Sequence, residues 1–200
     1  MNYLDQLREL EKLGNSMIRL AAEEWDQHWK ILISTIMSAR TRDEVTIRIA
    51  NNLFKKYPTV EKLAKAELKE IEKIIKPVNF YKNKSKNILN CAKTLIEEHK
   101  GIIPLTFEEL LKLPGVGRKT ANVFLSEIGI VAVGIDTHVH YISNKLGWTK
   151  NKTQKGIEED LKKLFPKSIW KEINPILVRF GKTYTSRKKK DGLLEKIKSI

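Results

Sequence analysis

Apolar residues recur along this chain at intervals of three and four, the spacing that gathers one face of an α-helix. The run HWKILISTIMSA (28–39) is almost wholly apolar and predicts a central, buried helix. In the following DEVTIRIANNLFKKY, Val45, Ile49 and Leu53 share a face. Thr41, with Glu44 three residues on, has the pattern of a capping box and is expected to open that helix. ELKEIEKII should end before Pro77. NKSKNILNCAKTLIEEH, with Ile88, Ala92 and Leu95 on one stripe, should stop at Gly101. Thr106 and Glu109 predict a short capped helix through Leu113. RKTANVFLSEI reads as helical to Gly129, and THVHYISNKL as a helix closed by Gly147. Two later helices, about 153–165 and 168–181, turn Ile157, Leu161, Leu164, Trp170, Ile173 and Leu177 inward, with Pro175 kinking the second or delaying its start. The short apolar IVAVGI before Asp136 is a weak strand candidate with no partner. The expected fold is all-α.

Charge narrows the choice of partner. The 200 residues include 38 Lys and Arg against 24 Asp and Glu, a net +14. Such an excess attracts polyanions and releases their counterions on binding, although lysine-rich surfaces also suit life at high temperature. No apolar run is long enough to span a bilayer, so no membrane contact is expected. The start, MNYLDQLRELEKL, reads as a charged helix rather than a secretory signal, and cytoplasmic residence is the expectation. A single cysteine, Cys91, excludes an internal disulfide and a multi-cysteine metal site within one chain.

The stretch that carries most chemistry is LPGVGRKTANVFL (113–125). Gly115 and Gly117 flank one small apolar residue between two helices, where glycine permits positive φ and close approach of another backbone. The next helix starts near Arg118, so hairpin amides and the positive dipole end favour an anion such as a DNA phosphate. The same pattern also suits a plain helix–helix turn. Lys119 lies in the first turn, where the dipole opposes a second positive charge, and a neutral amine can attack an electrophilic carbon to form a Schiff base. It could equally be an ordinary surface lysine. Asp136, in VGIDTHVHY, is a good helix N-cap. It is also a carboxylate beside an apolar segment, able to stabilise positive charge on a sugar as a base departs. His138 and His140 face different sides of a helix and make a poor metal pair, so no metal site is expected.

Taken together, LPGVGRKTANVFL and IDTHVHYISNKLGW resemble the endonuclease III family of helix-hairpin-helix, Gly/Pro-Asp DNA glycosylases. Hairpin, lysine and Asp-Thr-His-Val occur in the family's order, the aspartate seventeen residues after the lysine. ISTIMSARTRDEVT resembles the family's segment near the flipped base, VNFYKNKSKNI its wedge segment, and SIWKEINPILVRFG its late helix. The likeness runs roughly from residue 25 to 185. It implies a hairpin of Leu113, Pro114, Gly115, Val116 and Gly117 at about 106–128, a nucleophile at Lys119 and an essential carboxylate at Asp136. It also implies two helical lobes, 24–132 and 1–23 plus 133–200, with a DNA-binding cleft between them. The implied partner is double-stranded DNA carrying a damaged base or abasic site, met by a monomer. Arg118, Thr137 and His138 are expected beside the DNA, with Arg40 and Phe80 near the extruded base.

The resemblance has departures. Arg40 stands where the family often has the Gln that fills the hole left by the flipped base. It could fill that hole or hold a phosphate. Phe80 replaces the usual aliphatic wedge, and could stack in the gap or lie buried in its loop. The family usually ends in four cysteines holding an iron–sulfur cluster, but here the first position is Thr185 and no cysteine follows. Thiolates are required, so no cluster is expected. Arg187, Lys188, Lys189 and Lys190 lie where the cluster loop would begin, either touching DNA phosphate or forming a solvated tail. The expected activity is that of a bifunctional glycosylase and abasic-site lyase on oxidised pyrimidines. The alternatives are a relative acting on 8-oxoguanine or on uracil and thymine mismatches, or a non-catalytic helix-hairpin-helix DNA-binding protein.

Overall fold

Helical spacing becomes helix throughout the computed structural model, which describes residues 2–130 and 132–200. In chain order the helices are α1 (Tyr3–Leu13), α2 (His28–Ser38), α3 (Asp43–Lys56), α4 (Val60–Ala64), α5 (Leu68–Ile75) and α6 (Tyr81–His99). There follow α7 (Phe107–Leu110), α8 (Arg118–Glu127), α9 (Thr137–Leu146), α10 (Gln154–Leu164), α11 (Trp170–Thr183), preceded by a 3₁₀ turn at Lys167–Ile169, and α12 (Arg187–Lys198). The described residues of IVAVGI form no strand, and Val131 within it lies outside the described residues, as does Met1. The fold is all-α, as the spacing predicts.

The chain divides into two units, one of Arg19–Ile128 and one of Met1–Ile18 with Gly129–Ile200. In the first, α2 is central because its sequence offers no polar face. Leu32, Ile33 and Met37 are wholly buried, and each such side chain contributes about 1.5–3 kcal/mol. Trp25 and Trp29 meet Phe54 of α3 edge-on, at 4.8 and 5.0 Å between ring centres. α6 packs against α4 and α5, burying Ile88, Ala92 and Leu95 as their stripe predicts.

In the second unit the two ends of the chain share one core. Leu7 and Leu10 of α1 meet Leu177 and Phe180 of α11, Leu194 and Ile197 of α12, and Val139 and Ile142 of α9. Gln6 accepts from the Trp148 indole at 2.6 Å and donates to the Lys198 carbonyl at 3.3 Å.

Four local expectations are corrected. Thr41 does not cap α3, whose N-cap is Arg42 without a side-chain bond. The Thr41 hydroxyl instead accepts from the Asn79 amide and the Lys84 ammonium, both at 3.2 Å. Thr106 does cap α7, but the helix ends at Leu110 rather than Leu113. Pro175 is the sixth residue of α11, which starts at Trp170 and continues past it, so the proline does not delay the start. The basic run at 187–190 is not a tail but the first turn of α12.

Candidate active site and nucleic-acid interface

Between α7 and α8 the backbone turns twice. The Leu113 amide bonds the Leu110 carbonyl, and the Val116 amide the Leu113 carbonyl, each at 3.1 Å. Gly115 takes φ +81°, and a Cβ there would lie 2.8 Å from the Cβ of Asn87 on α6. The turn and the neighbouring helix therefore both require glycine at this position. Leu113 and Val116, expected among the DNA contacts, have buried side chains and shape the hairpin from within. Gly117 differs from Gly115. Its φ of −95° and ψ of 176° are open to any residue, and a Cβ there would meet nothing within 4 Å. The fold itself does not demand glycine here, which leaves an exposed backbone that a second molecule can approach closely.

Gly117 is the N-cap of α8, and no acidic residue occupies the first turn. The helix therefore brings no carboxylate of its own to its positive dipole end. The Arg118 guanidinium lies 4.7 Å from the centre of the Phe107 ring, bracing α8 against α7. Lys119 is the second residue of the helix and half-buried, while Thr120 and Ala121 behind it are buried. The hairpin, in other words, fixes where the Lys119 stem leaves the backbone.

Asp136 ends a buried segment, with Ala132, Val133 and Ile135 each 3% exposed or less. The side-chain amide of Asn174, on α11, donates to the Gly134 carbonyl at 2.9 Å and anchors that approach. Asp136 is the N-cap of α9. Its Oδ1 accepts from the His138 and Val139 amides, both at 2.9 Å. Among the described residues Oδ2 has no hydrogen-bond partner, so the cap and a free carboxylate oxygen coexist in one residue. The His138 ring lies against α11 at Gly181. Thr137 is exposed.

Thr137 and His138 also line a pocket of about 310 Å³ with Tyr141, Thr185, Arg187 and Lys190. Its lining offers hydroxyls, an imidazole and two cations. Arg187 and Lys190 stand 5.7 and 6.0 Å from the Tyr141 ring centre, and Lys145 approaches it at 6.0 Å. The Tyr141 hydroxyl donates to Asp191, holding that carboxyl below its ordinary range, with Lys145 at 3.4 Å adding to the effect. Burial pushes the Lys190 ammonium down. Lys188 is exposed. This donor set does not fit an iron–sulfur cluster, because no thiolate is among it. Cys91 lies in α6, buried, its thiol pushed up to about 12 by that burial.

Arg40 and Phe80 come together. Phe80 is 58% exposed rather than buried in its loop. The Arg40 guanidinium stands 5.7 Å from its ring centre. Sequence reasoning missed the residues behind this pair, Asn79 and Lys84, and the Tyr141–Asp191 contact. For Lys84 no local signal exists, since its partners lie more than forty positions away. For α12 a signal did exist in the spacing of Leu194 and Ile197, both buried.

The glycine turn between α7 and α8, with the basic start of α8, forms a helix-hairpin-helix unit. The chain belongs to the HhH-GPD superfamily of base excision DNA repair proteins, which it matches over residues 33–167. Endonuclease III of Thermotoga maritima is 46% identical over 156 residues, 77% of this chain and 73% of that protein. Endonuclease III of Synechocystis is 40% identical over 162 residues, 80% and 74% of the two chains. Among solved structures, a trapped endonuclease III–DNA covalent intermediate superimposes with a TM-score of 0.84 at 31% identity, covering 92% of this chain and 86% of that one. A non-covalent endonuclease III–DNA complex gives 0.84 at 30%, with the same coverage. The protein is a base-excision repair enzyme, a DNA glycosylase and abasic-site lyase. No helix among the described residues is long and apolar enough to cross a membrane.

Proposed function

We propose that the enzyme excises oxidised pyrimidines from double-stranded DNA through a covalent intermediate on Lys119. The damaged nucleotide is turned out of the stack. The Lys119 amine attacks C1′, the glycosidic bond breaks, and the base leaves with the bonding pair and takes up a proton. The Asp136 carboxylate stabilises the positive charge that develops on the sugar. The sugar ring then opens as the C1′–O4′ bond breaks and O4′ takes up a proton, leaving a Schiff base that acidifies C2′. Loss of a proton there expels the 3′ phosphate, cutting the strand 3′ to the lesion. The observation that carries this reading is Asp136, whose Oδ1 caps α9 while Oδ2 is uncommitted. The likeness to a trapped covalent endonuclease III–DNA intermediate supports it.

Gly115, Gly117, Pro114, Arg118, Thr137, His138, Arg187 and Lys188 hold the DNA backbone in this reading, and Arg40 and Phe80 enter the space around the extruded base. The enzyme works as a cytoplasmic monomer without an iron–sulfur cluster, so the purified protein carries no visible cluster absorbance. The test is a panel of duplexes bearing thymine glycol, dihydrouracil, uracil, 8-oxoguanine or an abasic site, incubated with and without borohydride. Covalent trapping on the oxidised pyrimidines and on the abasic site is expected from wild type, and none from Lys119→Gln with duplex binding retained. Undiminished trapping by that variant overturns the mechanism.

A further inference from the structure

We infer that Lys84 is a positioning residue for base extrusion: its buried ammonium holds Arg40 and Phe80 together as one element presented to the DNA. The inference rests on the proposed function and adds to it a residue that contacts no DNA.

Backbone conformation sets Arg40 and Phe80 apart. Arg40, Phe80 and Lys100 are the non-glycine residues with positive φ among those described. Lys100 closes α6 as a left-handed C-cap, an ordinary role. Arg40 at φ 55° and Phe80 at φ 60° are different. They lie forty positions apart, both exposed, and their side chains stack on each other. Side chains disfavour this conformation, so it persists only where the surroundings over-determine it.

Lys84 and Asn79 are those surroundings. The side-chain amide of Asn79 donates to the Arg40 carbonyl, and its backbone amide to the Thr41 hydroxyl at 3.2 Å. The Lys84 ammonium donates to the carbonyls of Met37 at 2.6 Å and Ala39 at 2.5 Å, and to the Thr41 hydroxyl at 3.2 Å. It therefore spans the end of α2 and the 39–41 loop, while its own backbone sits in the first turn of α6, four residues after Phe80. One side chain thus ties together the two loops that carry Arg40 and Phe80. Lys84 is only 6% exposed and all three partners are neutral oxygens. A buried ammonium without a carboxylate is costly, and burial alone pushes it down to about 8. A lysine whose sole task was helix capping would cap as well from the surface.

The test compares single-turnover cleavage of two substrates at saturating enzyme. In one the lesion is paired in a continuous duplex; in the other it faces a gap, so that no pair must be opened. Lys84→Met keeps most of the buried stem and removes the charge. It should slow the paired substrate by about 10- to 100-fold and the unpaired one by less than about twofold, since no base pair remains to be opened before the lesion turns out. Phe80→Ala should show the same split, and adding Lys84→Met to it should cost little more. If Lys84→Met does not fold, Asn79→Ala, in an exposed loop, makes the same comparison. Equal slowing of both substrates, or of neither, overturns the positioning role while leaving the proposed function intact. Failure of wild type on both substrates removes the proposed function and this inference with it.

Discussion

The His138 imidazole occupies the space that a side chain at Gly181 would need. A Cβ at 181 would fall 2.1 Å from His138 Nδ1 and 2.8 Å from its Cγ. Glycine on α11 thus lets α9 seat its first turn, and with it the Asp136 cap. Gly181→Ala should destabilise the fold by about 1–3 kcal/mol through overpacking and lower cleavage by displacing that turn. His138→Ala in the same chain should recover most of the melting temperature. If the double variant melts no higher than Gly181→Ala, the clash is not with His138.

Asp136→Asn separates the two roles of that side chain. Asn caps nearly as well as Asp, so the melting temperature should stay close to wild type. Single-turnover cleavage should fall by at least ~100-fold, the order expected for losing a preorganised stabilising charge. A fully active Asp136→Asn enzyme would reduce Asp136 to its cap.

The two hairpin glycines should respond in opposite ways. Gly115→Ala forces a side chain to φ +81° and against Asn87, and should cost more than ~1 kcal/mol of stability. Gly117→Ala meets neither obstacle, and its stability should lie within about 1 kcal/mol of wild type. Its affinity should nevertheless fall for damaged and undamaged duplex alike, because phosphate contacts carry no sequence information. Normal duplex affinity in Gly117→Ala would remove the close approach of DNA at that point.

Acid should weaken the docking of α12. The Asp191 carboxyl sits below its ordinary 3.8, mainly through the Tyr141 hydroxyl. A carboxylate depressed in the folded state contributes stability above the unfolded value and loses it as pH falls through the folded one. Wild type should therefore melt above Asp191→Asn at pH 7, with the difference closing below about pH 4. A difference that persists at pH 2 would point to packing rather than charge.

Replacing Arg187, Lys188, Lys189 and Lys190 together by Ala should flatten the log–log salt dependence of duplex binding by roughly two to three units, at about 0.9 per phosphate. Cleavage at saturating enzyme should stay near wild type. An unchanged slope would show that these side chains serve α12 alone.

What the sequence discloses here is what is local. The Asp136 cap, the αL glycine at Gly147 and the turn at Gly115 each depend on residues a few positions apart, and all three are legible. Thr41 misleads for the opposite reason. Its capping pattern with Glu44 is genuine locally, but Lys84 and Asn79 claim the hydroxyl from another helix and its preceding loop. Gly181 reads as an ordinary helix interior until α9 is placed beside it. The first turn of α12 reads as a phosphate-binding run or a solvated tail, and not as a helix, because its cations conceal the pattern. Asp191, Leu194 and Ile197 then bind to residues at 141 and in the N-terminal helix, beyond any local window.

That shared core of α1, α11 and α12 also sets an order of events on the ribosome. Domains generally fold as units while the chain is being made. Residues 19–128 are contiguous, and every helix of their unit has been synthesised before Asp136 emerges. The unit that holds Asp136 has no such option. Leu7 and Leu10 are made well before Leu194 and Ile197, the partners with which they share a core. Synthesis of α12 is therefore the event that lets this core close, and until then the unit that carries Asp136 lacks the side chains that seal α1.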